Sequence, residues 1–207
     1  MSQLLAGATS AEELIRVLEP EGAREKANAP KPSEEEMKLS RQPGGEENQP
    51  AHAKSPKIVA GVVEVYVIDN SGASWRVLAL RRATDAIRPG SWETVFGKIS
   101  DGESPPDAAL REVGEETGLA VERLYNVNVQ PFYLHASNTV QLSIVFAVFV
   151  KPGAITLSAE HAAYEWLALE DAHPKFTWPR AADALRDIRH LLAGGDAGPV
   201  EDVLRVL

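Results

Sequence analysis

The spacing of apolar and polar residues divides the chain into an unpatterned leader and a strongly patterned body. From Pro20 to about Lys57 the sequence is rich in Pro, Glu, Lys, Gly, Gln and Asn and nearly devoid of large apolar side chains. Such a stretch cannot bury enough surface to offset the entropy of ordering, which predicts a disordered linker. Ahead of it, Ser10 and Glu13 stand at capping-box spacing before Leu14, Ile15, Val17 and Leu18, which predicts a short helix over residues 10–19. Residues 1–57 are therefore expected to form an N-terminal extension, either a solvating tail or a regulatory, partner-binding one.

Beyond Ser55-Pro56 the pattern becomes that of a folded domain. Ile58 to Ile68 is dense in Val and Ile, and Trp75 to Arg82 is a second β-rich run after the Asn70-Ser71-Gly72 turn, so the two are expected to pair. Trp92 to Ile99 is a shorter β-like segment. Pro105 to Thr117 has helical character, with Ser104 as cap and Gly118 as stop. Leu124 to Tyr133 and Val140 to Val150 are expected strands, followed by a short one at Tyr164 to Leu167. A last helix places Pro179 in its first turn, repeats Ala184, Leu185, Ile188 and Leu191 at helical spacing, and stops at Gly194-Gly195. This order predicts an α/β (mixed α+β) domain over residues 58–193, an α/β/α sandwich around a central mixed sheet, with residues 194–207 as a C-terminal tail.

Composition narrows the function. A chain of 207 residues has room for one domain and an appendage. Its net charge of −9 and lack of a Lys/Arg cluster argue against a nucleic-acid partner, while small phosphorylated molecules remain accessible through a metal ion. The absence of cysteine excludes disulfides, thiol chemistry and thiolate-bound zinc, leaving oxygen ligands or His for metals. No basic leader and no apolar run of roughly 18 residues is present, so a soluble, cytoplasmic protein without a membrane partner is expected. A homodimer is left open.

The chemistry concentrates in the first helix. Glu112, Glu115 and Glu116 fall at i, i+3 and i+4 and so are expected to share one side, leaving Ala108, Leu110 and Val113 for the core. Three like charges destabilise an isolated helix, but a hard divalent cation turns them into a favourable site. The bland alternative is a solvated acidic face with Arg/Glu pairs.

That alternative loses ground once the flanking residues are included. From Gly97 to Leu119 the chain runs G, five residues, E, seven residues, then R-E-apolar-x-E-E-x-G-apolar, with Gly97, Glu103, Arg111, Glu112, Val113, Glu115, Glu116, Gly118 and Leu119 at the marked places. This resembles the complete signature of the Nudix hydrolase family, a match expected by chance in fewer than roughly one in a million chains. The resemblance implies the Nudix fold and a pyrophosphohydrolase using Mg²⁺, with Mn²⁺ as an alternative. It implies metal ligation by Glu112, Glu115, Glu116 and the backbone carbonyl of Phe96, and an Arg111 that orients a glutamate of the signature such as Glu103. Gly97 and Gly118 are its structural glycines. Glu112 is one candidate general base.

Outside the signature, Glu160-His161-Ala162-Ala163-Tyr164-Glu165-Trp166-Leu167 resembles a segment of some family members, the dihydroneopterin triphosphate pyrophosphatases and diadenosine tetraphosphate hydrolases. There Glu160 approaches the metals as ligand or base, and His161 is assigned a structural role. The lead-in Trp92-Glu93-Thr94-Val95-Phe96-Gly97 resembles the first of these groups more than the second, favouring a pterin or purine triphosphate. Arg81, Arg82 and Lys98 are candidates to hold phosphate, and Trp92 and Tyr133 to stack on a ring. The expected function is hydrolysis of a phosphoanhydride in a nucleoside or pterin polyphosphate. The alternatives are a dinucleoside polyphosphate hydrolase and a non-catalytic nucleotide sensor; an isopentenyl diphosphate isomerase would need an active-site cysteine.

Overall fold

The structure, a computed structural model, describes residues 55–207. The expected helix at 10–19 and all but the last three residues of the expected linker lie outside the described residues. Seven strands form one mixed sheet among the described residues: β1 (Lys57–Asp69), β2 (Arg76–Arg82), β3 (Trp92–Glu93), β4 (Val95–Lys98), β5 (Val121–Leu134), β6 (Thr139–Val150) and β7 (His161–Ala168). Helix α1 spans Pro105–Thr117, α2 Arg180–Leu192 and the short α3 Glu201–Leu204.

β1 is the axis of the sheet. It runs parallel to β6 along most of its length and antiparallel to β4 over Val62–Val65. Enclosure on both faces explains its near-continuous apolar composition, since a strand covered by helices on both sides has no water-facing side to leave polar. Glu64 is the exception within this run.

The expected pairing of β1 with β2 is present but confined to Ile68↔Val77 and Asp69↔Arg76 beside the turn. Farther along, β4 takes the edge of β1, and β2 turns to pair with β7 from Arg76 to Arg82. The last strand is accordingly longer than its apolar pattern suggests, starting at His161.

Two cores flank the sheet. Val63, Val65, Val67, Leu78 and Leu80 pack under α1 against Ala108, Ala109 and Val113. Tyr66, Ile68, Val77 and Ala79 pack under α2 against Ala184, Leu185 and Ile188. Alternation along β1 and β2 sends successive side chains to opposite layers, each buried aliphatic contributing about 1.5–3 kcal/mol. In α1 the inward set differs from expectation: Ala109 is fully buried and Leu110 only partly. A methyl side chain lets the helix approach the sheet closely, and the larger leucine fits at the margin.

The segment after 194 is part of this unit. Val206 N–H donates to the Leu124 carbonyl at 2.8 Å and Leu124 N–H to the Leu207 carbonyl at 3.1 Å, covering the start of edge strand β5. Covering an edge in this way removes a template for pairing with other chains. No helix among the described residues is long and apolar enough to cross a membrane.

Candidate active site

Local sequence builds the site around the start and spine of α1. Ser104 caps the helix, accepting the Asp107 N–H at 3.3 Å and donating to the Asp107 carboxylate at 2.6 Å. At the other end Gly118, at φ +70°, adopts the left-handed cap that a side chain would strain, and its N–H donates to the Gly114 carbonyl. The helix is thereby fixed in length and rotation against β4 and β1.

Arg111 is the hub. Its Nε and Nη2 donate to the two oxygens of Glu103 at 2.8 and 3.0 Å, the fork-to-fork geometry open to arginine and closed to lysine. Nη1 donates to Glu112 at 2.7 Å and Glu115 at 3.2 Å, and Nη2 also reaches the Lys98 carbonyl at 2.9 Å. These hydrogen bonds hold the Glu103 carboxyl down at about 2 and keep the Arg111 guanidinium charged at any pH. The expected contact between Arg111 and Glu103 is present.

The three helix glutamates do not share one environment. Glu116 is turned into the protein at 5% exposure, while Glu115 lies outward at 59% and meets Arg111. Residues one apart on a helix are rotated by about 100°, so the i+3 and i+4 positions straddle the helix face instead of coinciding on it. Glu112 lies between them, with its carboxylate over Gly97. A Cβ at Gly97 would occupy the space of that carboxylate, so glycine is required there for close approach.

Burial raises the Glu112 carboxyl above its ordinary value, with Arg111 opposing the shift. The effect is much larger at Glu116, where burial, then Glu112 and Glu93, push the carboxyl up to about 9 in spite of a backbone hydrogen bond from Phe96. One of its oxygens, Oε2, is buried without a hydrogen-bond partner. Among the described residues no group of three acidic or histidine side chains converges into a closed metal cage. The fit to a divalent cation rests on other grounds: an orphaned buried carboxylate oxygen, a second carboxylate seated over a glycine, and oxygen-only chemistry of the kind Mg²⁺ prefers.

Around Glu116 lies a network that spacing did not disclose. Arg82, buried, bonds Glu93 and Glu160, both at 3.0 Å, and also the Ile87 carbonyl. His161 is buried with Nε2 3.6 Å from Glu93 and 3.9 Å from Glu116. Glu160, immediately before β7, is itself well exposed and is tied to Glu93 of β3 through Arg82. Of the proposed phosphate-holding residues, Arg82 is thus engaged by carboxylates and has no free fork to offer. Arg81 is exposed on β2, and only Lys98 lines a cavity beside the signature loop.

That cavity has a volume of about 400 Å³, within the usual range for small-molecule sites. Phe96, Phe132 and Trp178 supply its aromatic walls, Glu64, Glu93 and Gln141 its buried polar groups, and Arg88, Lys98 and Arg180 its more open cations. Tyr133 lines it as expected of a stacking residue. Trp92 does not: it exchanges backbone and hydroxyl hydrogen bonds with Thr177 and packs against the α2-side core, with the Lys175 ammonium 4.0 Å above its ring. Trp178, two residues before α2, stands in the wall instead. Sequence spacing gave no reason to select Phe132, Trp178 or Arg180, but Glu64 was visible as a lone charge inside an aliphatic run.

A central mixed sheet with a helix on each face, and a Gly-to-Gly loop-helix segment presenting buried carboxylates, define the class. A model of the NUDIX domain matches residues 57–188, and the chain belongs to the Nudix hydrolase family, whose chemistry is cleavage of pyrophosphate bonds. It is 31% identical over 152 residues to a MutT-like protein of Streptomyces ambofaciens, covering 73% of this chain and 88% of that one. It is 28% identical over 124 residues to the dihydroneopterin triphosphate diphosphatase of Escherichia coli K12, covering 54% and 81%. A Myxococcus xanthus octanoyltransferase shares 39% identity over 113 residues, 53% of this chain, and the match spans only 31% of that protein's length. Among solved structures, a MutT protein of Methanosarcina mazei aligns at a TM-score of 0.54 and 27% identity over 65% of this chain and 96% of that one. A C. elegans Ap4A hydrolase aligns at 0.55 and 22%, over 66% and 99%, a likeness of fold.

Proposed function

We propose that the protein is a metal-dependent pyrophosphohydrolase acting on a nucleoside or pterin polyphosphate, with the phosphoanhydride bound over the Gly97 loop and the ring in the adjoining cavity. The observation that carries this reading is the Glu112 carboxylate over Gly97 together with the buried, unpartnered Glu116 oxygen, while Phe96 and Lys98 on either side of Gly97 line a cavity of ligand size. Glu112, Glu116, the Phe96 carbonyl and Glu160 are the groups that would hold Mg²⁺ or Mn²⁺, with Glu115 at the outer rim. When bound, the cation supplies charge neutralisation of the phosphate oxygens and acidification of water.

The chain's own residues account for the rest. Arg111 fixes Glu112 and Glu115 and ties them to the loop through Glu103 and the Lys98 carbonyl. Lys98, which lines the cavity, is the group assigned to meet a phosphate. A proton taken from the attacking water passes to a carboxylate, and Glu112, whose carboxyl burial raises above its ordinary value, is the candidate acceptor. Water attacks phosphorus, the bridging oxygen leaves with its electron pair, and two phosphorylated products result.

The test is a panel of nucleoside triphosphates, dinucleoside polyphosphates, sugar nucleotides and dihydroneopterin triphosphate with Mg²⁺ or Mn²⁺. Release of a phosphorylated product from one or more supports the reading. Tight ligand binding without turnover of any would replace it with a sensing function.

A further inference from the structure

The cavity's polar groups are not arranged as a phosphate site. Arg180, the first residue of α2, carries its positive charge at the helix end where the dipole disfavours a cation, so local helix energetics do not explain it. Its Nε donates to Glu64 on β1 at 2.8 Å, and Glu64 also accepts the Tyr66 hydroxyl at 3.0 Å. Glu64 is buried and Arg180 partly so, and their charges balance. The guanidinium carbon stands 5.0 Å from the Phe132 ring centroid, 5.1 Å from Trp178 and 6.0 Å from Phe96. Among the described residues no hydrogen bond engages its two terminal nitrogens, which are left to face the cavity.

A second donor lies close by. Gln141 on β6 is 8% exposed and its Nε2 has no hydrogen-bond partner, although it lines the cavity. The bulge at Gly61, where β1 slips register against β6, leaves room for this amide: a Cβ at Gly61 would lie 3.3 Å from Nε2. A buried donor without a partner is rare in folded proteins, and Gln141 Nε2, together with the unengaged terminal nitrogens of Arg180 in the same aromatic-walled cavity, calls for a ligand rich in acceptors.

We propose that this cavity reads the substrate's heterocycle and selects a ring whose edge carries a carbonyl oxygen beside an acceptor nitrogen, as in a 6-oxopurine or a 4-oxopterin. This rests on the assignment of the Gly97 loop to the polyphosphate. Guanidinium donors pair with the carbonyl and ring nitrogen of guanine, whereas an adenine ring turns an amino group toward the same donors and leaves them unpaired. The aromatic walls hold either ring by stacking and contribute nothing to the choice between them. The donors therefore set the specificity.

The deciding experiment compares kcat/KM for GTP, dihydroneopterin triphosphate and ATP, alongside binding of GMP and AMP followed by tryptophan fluorescence. The expected result is a preference of about 10- to 100-fold for one or both oxo-ring triphosphates over ATP, with GMP bound tighter than AMP. The first two substrates tell the purine from the pterin source. Gln141→Leu should bring the preference down to within about threefold by lowering only the oxo-ring values, and Arg180→Met should do the same. Should Arg180→Met fail to fold because Glu64 is left unpaired, Gln141→Leu carries the test. Equal turnover of ATP and GTP, or an unchanged preference in Gln141→Leu, overturns this inference and leaves the proposed hydrolysis standing. No turnover of any substrate, with GMP still bound about tenfold tighter than AMP, overturns the hydrolysis and upholds the cavity.

Discussion

The two faces of the sheet carry polar machinery of opposite kinds. Under α1 lies an excess of carboxylates gathered around one arginine, with an acid held protonated by burial. At the α2 end of the other face lies a charge-balanced pair inside aromatic walls, with donors left over. An excess of buried negative charge is stable only with cations, so the first face is suited to polyphosphate through metal. An aromatic-walled slot with donors left over suits an uncharged ring. The difference divides one substrate between two sites, one for its reactive end and one for its identity.

The largest effect expected from breaking this division is at Glu116. Glu116→Gln should lower kcat by about 10²–10³-fold while leaving the fold intact. Its stability signature has a definite sign in metal-free protein. The folded-state carboxyl is raised to about 9 from 4.5, so the folded protein keeps a proton that the unfolded chain loses, and stability falls as pH rises through that interval. The amide variant lacks this loss. Its thermal midpoint in chelator should match the parent near pH 4 and exceed it at pH 8, at about 2–4 °C per kcal/mol. An equal difference at both pH values would show that Glu116 is not the group responsible.

Next comes Gly97. Gly97→Ala places a methyl group where the Glu112 carboxylate sits, in contact with a side chain held by Arg111. Displacing that carboxylate should cut kcat by about 10- to 100-fold, and crowding should cost about 1–3 kcal/mol of stability. Ring preference, measured as the ratio of kcat/KM between triphosphates, should be unchanged, because the cavity donors are on other strands. A shift in that ratio would join the two sites that the comparison separates.

How much of each face was legible follows from the same contrast. The α1 face is local: Glu103, Arg111, Glu112 and Glu116 belong to one loop and one helix, so spacing alone brings them together. It misled over Glu115, which spacing groups with Glu116 but helix rotation turns outward, and over Leu110, whose inward place Ala109 takes. The α2 face is assembled from β1, β5, β6 and the entry to α2, and pairs such as Glu64 and Arg180 are 116 residues apart. No periodicity links such positions. Trp92 illustrates the limit, since an aromatic before the signature looked suited to stacking, while the structure gives that wall to Trp178 and packs Trp92 against the core. The buried contacts of Arg82 and His161 with Glu93 escaped for the same reason.

A smaller effect is expected at Arg111. Arg111→Lys keeps the charge but loses the fork to Glu103, and kcat should fall by about tenfold as Glu112 loosens. The Glu103 carboxyl, held near 2 by that fork, should return toward 4.5. A carboxyl depressed in the folded state contributes stability that is present above its unfolded value and lost as pH falls toward its folded one. Acid unfolding of the parent should therefore include a component between about pH 4.5 and 2 that the lysine variant lacks. Superimposable acid profiles would remove Glu103 as the partner that matters.

The smallest effect tests whether the far end of the α2 face is structural alone. Tyr125 on β5 packs against Phe149 at 5.9 Å between ring centroids, and its hydroxyl donates to Glu201 in α3 at 2.9 Å. Glu201 also accepts the Ala197 N–H at 2.7 Å, so this one carboxylate fastens the terminal segment to the edge strand. Tyr125→Phe keeps the ring and removes the hydroxyl, at a cost of about 1 kcal/mol, or ~2–4 °C in the thermal midpoint. Neither kcat nor the ratio between triphosphates should change, because no cavity residue contacts that hydroxyl. A changed ratio would extend the ring-reading region along β5 to the tail.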